Sequence, residues 1–207
     1  FMTAYLSVTP GEHIITGTNR MKHRPIRARV DALRKLGAQI EYTEEEGFPP
    51  LRITGDSLDG GMLEIPGDVS SQYISALLMI GPAMKNGLKL RLTGNIVSRP
   101  YIDLTLHVMH EFGISGEWTE VDMISVSHQE IGDRRYTIEN DWSASSYWYE
   151  ILAMTNDDES RVTLPGLKDA SRQGDSAVRY LFSMLGVKTA FRTSNEVVLT
   201  RHMCSLP

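Results

Sequence analysis

The residues best placed to do chemistry lie in Gly67-Asp68-Val69-Ser70-Ser71-Gln72-Tyr73, where small hydroxyl and amide side chains open an almost wholly apolar helix predicted over Ile74 to Ile80. The first N–H groups of a helix have no partner inside it, and the helix dipole makes that end partly positive, so phosphate or carboxylate can dock there. Ser70, Ser71 and Gln72 would add neutral hydrogen bonds. A plainer role for Ser70 or Ser71 is to cap the helix, with Gln72 facing water. Two more segments carry groups suited to anions. Gly17-Thr18-Asn19-Arg20-Met21-Lys22-His23-Arg24-Pro25-Ile26 sets Arg20, Lys22 and Arg24 on a loop before a helix that starts near Pro25. Asn95-Ile96-Val97-Ser98-Arg99-Pro100-Tyr101-Ile102-Asp103 sets Ser98 just before an Arg-Pro helix start, where it too could be an ordinary cap.

Together with Val69 to Met79, these segments resemble the core of the 5-enolpyruvylshikimate-3-phosphate synthase family of enolpyruvyl transferases. The resemblance runs from Phe1 to about Val187 and takes in Val30-Asp31-Ala32-Leu33, Glu46-Gly47-Phe48-Pro49-Pro50-Leu51 and Asp141-Trp142-Ser143-Ala144-Ser145-Ser146-Tyr147. It implies transfer of the enolpyruvyl group of phosphoenolpyruvate to the 5-hydroxyl of shikimate 3-phosphate, with release of phosphate and no cofactor. By motif match Arg20 would bind phosphoenolpyruvate, and Gln72 would touch both substrates. Ser70, Ser71 and Ser98 would hold the phosphate of shikimate 3-phosphate, and Tyr101 would line its ring. Both substrates are polyanions, and two unit charges roughly 4 Å apart interact by about 4 kcal/mol at an effective dielectric of 20, so fixed guanidinium groups suit them. Asp68 departs from the pattern beside the serines and is expected to turn away or to pair with Arg99.

The resemblance also implies what lies outside the chain. The family's catalytic lysine precedes the position of Phe1 and its aspartate and glutamate follow Pro207, so the chain reads as an internal piece with part of a binding surface and little turnover. Two alternatives stand beside this reading. The sister transferase acting on UDP-N-acetylglucosamine would carry a reactive loop cysteine in its first domain, whereas the single cysteine here is Cys204. A non-enzymatic anion-binding module needs none of the catalytic groups.

The elements that must position these residues recur. Thr16-Gly17, Thr93-Gly94 and Pro165-Gly166 each close a β-rich run (His13 to Thr16, Leu88 to Thr93, Arg161 to Leu164), and each is followed by a helical pattern that ends at Leu36-Gly37, Phe112-Gly113 or Leu185-Gly186. Such regularity marks one building block used repeatedly. The first helix of each block, Phe1 to Val8, Ile74 to Ile80 and Tyr147 to Met154, is apolar nearly all round and is expected to be buried. The second is amphipathic, with Ile26, Val30 and Leu33 on one face in the first block and Val178, Leu181, Phe182 and Leu185 in the third. Strands follow at Gln39 to Thr43, Leu51 to Thr54, Met123 to Ser127 and Val197 to Thr200. The pattern β-α-β-α-β-β gives an α/β class with buried inner helices and outer sheets, which the resemblance arranges about a pseudo-threefold axis, incomplete here. Residues 1–137 are expected to form most of a first domain, and 138–207 the first unit of a second.

Composition is that of an ordinary globular chain, with 41% hydrophobic and 23% charged residues among 207. No apolar run reaches the roughly 20 residues that cross a bilayer, and one cysteine forms neither an internal disulfide nor a multi-thiolate site, which together point to the cytoplasm. A net charge of −5 argues against nucleic-acid or membrane-surface binding, although Asn19 to Lys35 holds seven basic residues against Asp31 alone. Arg27, Arg29, Arg34 and Lys35 are expected on a solvated helix face. His23, His107, His110, His128 and His202 show no metal-ligand spacing. Asp141 is expected to cap its helix, and Asp175 to cap the one after Gln173-Gly174. The complete enzyme is expected to be a monomer, and the piece to self-associate through the open sides of its apolar helices.

Overall fold

Alternating burial along short strands and a period near 3.6 along the helices generate a layered α/β arrangement in the computed structural model, which describes residues 1–193 and 195–202. The position of Cys204 lies outside the described residues. The chain divides into two compact units, Phe1–Arg134 and Arg135–Pro207.

In the first unit, helix α1 (Met2–Ser7) leads to β1 (Gly11–Ile15), a one-turn helix α2 (Asn19–Lys22), α3 (Arg27–Lys35), β2 (Gln39–Tyr42) and β3 (Leu51–Gly55). There follow β4 (Gly61–Pro66), α4 (Ser71–Ile80), β5 (Leu88–Thr93), α5 (Arg99–Glu111), β6 (Gly116–Glu120) and β7 (Met123–Val126). Strands β1, β3 and β2 form an antiparallel sheet with β3 in the middle. The other sheet runs β4-β5-β7-β6, with β4 and β5 parallel and the remaining pairs antiparallel. The core forms where the two sheets turn their apolar residues inward: Leu51 and Ile53 from β3, Leu63 and Ile65 from β4, Leu88, Leu90 and Leu92 from β5.

Helix α4 is the hub of that core. It packs against both α1 and α5, and Ile74, Leu77 and Leu78 are fully buried. Helix α5 starts with Pro100 in its first turn, where the missing N–H costs nothing, and buries Ile102, Leu106 and Met109 at helical spacing. It stops at Gly113, whose φ of +80° is a left-handed conformation that glycine adopts freely. Gly55 is required for a different reason: a β-carbon there would run into the carbonyl oxygens of Leu6 and Thr9, so β3 and the end of α1 approach backbone to backbone.

The second unit has α6 (Trp142–Met154), β8 (Arg161–Pro165), α7 (Val178–Ser183), β9 (Val187–Thr193) and β10 (Glu196–Arg201), with an antiparallel sheet ordered β8-β10-β9. Trp142 and Tyr149 of α6 pack with Val187, Val197 and Leu199 into a separate core.

The full β-α-β-α-β-β block is seen once, in β4 to β7, and the blocks around it lack a leading strand among the described residues. Between β7 and α6 the chain makes no strand; Asn140 N–H donates a single bond to the Gly166 carbonyl, as Gly67 N–H does to Thr93 in the complete block. Three expectations need correction. Burial of the inner helices holds for α4 but not for the others, because α1 leaves Met2 and Tyr5 exposed and α6 leaves Tyr147, Ile151 and Met154 exposed. Each of those two helices covers one side only, whereas α4 has a helix on either flank. Secondly, Leu181, although inside α7, is exposed, and α7 ends at Ser183, short of Leu185, which is exposed too, while Val178 and Phe182 face the core. Thirdly, Arg20 and Lys22 belong to α2 rather than to a loop, and α3 begins at Arg27, after Pro25.

Replacing Leu77 with alanine would open a cavity in the most buried helix. We expect Leu77→Ala to destabilise the chain by about 2–5 kcal/mol, and Gly55→Ala by about 1–3 kcal/mol through overpacking, both read by urea denaturation followed by circular dichroism.

Candidate functional site

Parallel pairing places Pro66 beside Thr93, so the carboxyl ends of β4 and β5 finish side by side. The loops that leave them stay in contact: Gly67 N–H donates to the Thr93 carbonyl at 2.7 Å, and a β-carbon on Gly67 would lie 3.0 Å from the Asn95 carbonyl oxygen. Each loop then feeds a helix, with Ser70 as N-cap of α4 and Ser98 as N-cap of α5. Ligands of open α/β sheets gather at such carboxyl ends.

The plain capping role fails for both serines. Neither hydroxyl bonds to a first-turn N–H of its helix. The Ser70 and Ser98 carbonyls accept from Tyr73 and Tyr101, which leaves the N–H groups of Ser71, Gln72 and Arg99 without protein partners among the described residues. Two uncapped helix starts thus open beside each other with their donors unspent.

Between α4 and α5 runs a groove of about 640 Å³. Ser71, Gln72 and Tyr101 line its polar end, and Met79, Val108, Phe112 and Ile114 line the apolar remainder. Sequence reading missed the pair that ties the helices under this groove: Ser75 Oγ lies 2.7 Å from Thr105 Oγ1, which donates to the Tyr101 carbonyl at 2.9 Å. A serine inside an apolar helix was the available signal. Tyr73 fixes the first turn of α4 from the other side, its hydroxyl donating to the Ala28 carbonyl at 2.8 Å. Burial pushes the Tyr73 pKa from 10.0 up to about 12, against the opposing charge of Arg29, whose guanidinium lies 6.0 Å from the ring centroid.

Arg20 is not part of that groove. It lines a separate depression with Thr18, His23 and Arg24, while Ser70 and Ser98 line neither cavity. Arg20 and Arg24 have no acidic partner among the described residues, in contrast to Lys22, which pairs with Glu44, and Arg27, which pairs with Glu46, each at 2.7 Å. His23 Nδ1 sits 2.7 Å from the Asn19 carbonyl, so that nitrogen carries its hydrogen. Arg24 is a candidate that motif matching left unassigned. Of the residues expected on a solvated helix face, Arg27, Arg34 and Lys35 are exposed, Arg34 also donating to the Ile40 carbonyl and lying over the Tyr42 ring, whereas Arg29 is half-buried beside Tyr73.

Asp68 is exposed and makes no ion pair with Arg99. Arg99 stacks on Trp118 and donates to the Val121 carbonyl. In the second unit Asp141 caps α6, accepting from Ser143 N–H at 2.8 Å. Asp175 does not cap; it accepts from the Ser143 hydroxyl, and Gln173 is the residue that precedes the short 3₁₀ turn before α7. Glu139 accepts from the Trp142 indole, the Lys168 N–H and the Ser171 hydroxyl, fastening the 168–171 loop to the start of α6.

These features define a class before they define a family. The fold is that of an EPSP synthase from Acinetobacter baumannii, with a TM-score of 0.73 at 20% identity over 97% of this chain and 44% of that one. The enolpyruvyl transferase NikO from Streptomyces tendae has the same fold, with a TM-score of 0.65 at 17% identity over 99% of this chain and 46% of that one.

The model of the EPSP synthase (3-phosphoshikimate 1-carboxyvinyltransferase) family matches residues 1–205, and the chain belongs to that family. A 3-phosphoshikimate 1-carboxyvinyltransferase from Bacteroides fragilis is 56% identical over 92% of this chain and 46% of its own length. One from Photobacterium profundum is 38% identical over 90% of this chain and 44% of its own length. The chain spans about half the length of the curated relatives it matches.

Because the Tyr73 pKa is raised on folding, the stability tied to its neutral hydroxyl is complete below pH 10 and is lost as pH climbs towards about 12. Tyr73→Phe should flatten that alkaline loss in urea denaturation and cost about 1 kcal/mol at neutral pH for the missing hydrogen bond.

Proposed function

We propose that this chain supplies the shikimate 3-phosphate surface, and part of the phosphoenolpyruvate surface, of a 3-phosphoshikimate 1-carboxyvinyltransferase. The observation that carries this reading is the pair of uncapped helix starts at Ser70 and Ser98, side by side on the carboxyl ends of two parallel strands. A phosphate there would accept from free N–H groups and serine hydroxyls, while the sugar-like ring of the acceptor would sit against Tyr101 and Gln72. Arg20, a guanidinium with no carboxylate partner among the described residues, suits the phosphate or carboxylate of phosphoenolpyruvate.

In the reaction the 5-hydroxyl oxygen adds to the enol carbon as its proton leaves to a base, and an acid protonates the methylene carbon. The tetrahedral adduct then breaks its bond to phosphate and loses a methyl proton, restoring the enol ether. We assign those proton transfers to groups outside these 207 residues, so the first unit acts as most of one domain and the second unit as the beginning of another. The complete protein acts as a cytoplasmic monomer on this reading, and the isolated chain self-associates through Tyr5 of α1 and Tyr147, Ile151 and Met154 of α6. Family membership favours shikimate 3-phosphate over UDP-N-acetylglucosamine as the acceptor.

In the protein expressed from its complete gene, Gln72→Ala should weaken both substrates, and Arg20→Ala should weaken phosphoenolpyruvate at least tenfold, the size of a lost charge-assisted contact of roughly 1.5–3 kcal/mol. Calorimetric titration of each substrate checks this, and unchanged affinities in both variants would end the assignment. A phosphate-release assay on the 207-residue chain alone should give no turnover above background.

A further inference from the structure

We propose that Trp118 is a positioning residue for the first turn of α5, clamped by Arg99 over its ring and by Asp103 at its edge. The inference rests on the functional reading above, in which that turn presents Ser98 and Tyr101 to shikimate 3-phosphate.

The geometry is specific. The Arg99 guanidinium carbon lies 3.9 Å from the centroid of the indole, and its Nη1 donates to the Val121 carbonyl at 3.0 Å. Trp118 Nε1 donates to Asp103 Oδ1 at 2.7 Å. Arg99 and Asp103 are four residues apart, so they stand one above the other on a single face of α5. One indole therefore grips one helical turn at two points. Trp118 is itself held by β6, where it pairs with Ile124 beside a register shift that re-aims the strand.

A clamp is needed here. The N-cap serine makes no cap bond, Pro100 offers no N–H, and Gly94, Asn95 and Val97 of the preceding loop are exposed. A helix start without these restraints frays, and its donors scatter. The same contacts occupy Arg99, which lies between Ser98 and Tyr101 in sequence yet spends its charge on the indole and a carbonyl rather than on an anion.

Steady-state kinetics of the complete gene product test the assignment. Trp118→Leu should raise the KM for shikimate 3-phosphate about three- to fivefold, the size of an exposed cation–π contact, with the KM for phosphoenolpyruvate unchanged. Trp118→Phe keeps a ring for the guanidinium and should recover most of that loss. Asp103→Ala, at an exposed position, should move the same constant in the same direction without lowering Tm, and it carries the comparison if Trp118→Leu folds poorly. Unchanged shikimate 3-phosphate KM values in the folded variants, or a parallel rise for both substrates, would overturn the clamp. Ser98→Ala is the reference. If it binds shikimate 3-phosphate normally the functional reading falls and the proposal with it, whereas weak binding in Ser98→Ala beside wild-type behaviour in Trp118→Leu removes the clamp alone.

Discussion

Parallel pairing of β4 with β5 is the constraint on which the rest depends. Antiparallel neighbours would send their following helices off opposite ends of the sheet, but parallel ones deliver both helix starts to one edge. The crossover that makes this possible is α4, and its depth of burial follows: a connection lying across a sheet between two other helices keeps little solvent-facing surface, here Gln72 and Met79. A site assembled this way comes from backbone geometry before any side chain is chosen. Serines and a glutamine then refine what the helix ends already offer.

The groove between α4 and α5 inherits a gradient from the same construction. Near the strand ends it is lined by hydroxyl and amide groups, and further along the helices by methionine, valine and phenylalanine. Ser75 and Thr105 mark the changeover, meeting each other so that neither hydroxyl goes unpaired in an apolar setting. Charge is handled separately, along α2 and the start of α3, where glutamates of the β2–β3 loop take Lys22 and Arg27 and leave Arg20 and Arg24 without an acidic partner among the described residues.

Much of the block structure was legible from glycines and apolar spacing. Gly113 and the leucines of β5 each carry a local signal, a left-handed stop or a two-residue alternation, that survives without knowledge of neighbours. What escaped depends on contacts distant in sequence. Nothing in Tyr147-Trp148-Tyr149 says which ring will be covered, since that is decided by β9 and α7, against which Tyr149 packs through Thr189 and Phe182. Of the two expectations for Asp68, turning away or pairing with Arg99, the second fails because Arg99 is taken by an indole on β6, a partner that leaves no local trace in the sequence. The candidate site divides likewise: Ser71, Gln72 and Tyr101 meet through topology that the repeat implies, while the setting of Arg20 depends on which cations the glutamates of another loop neutralise.

That local neutralisation has a consequence for how a polyanion arrives. These 207 residues carry a net charge of −5, so their far field would repel a polyanion, whereas Arg20 and Arg24, which have no acidic partner among the described residues, would attract one at close range. At physiological ionic strength the screening length is about 8 Å, short enough to erase the distant repulsion while sparing the close attraction. On the proposed function, capture by this surface would be a short-range event that background electrolyte assists, the reverse of the long-range electrostatic steering seen with uniformly basic clefts.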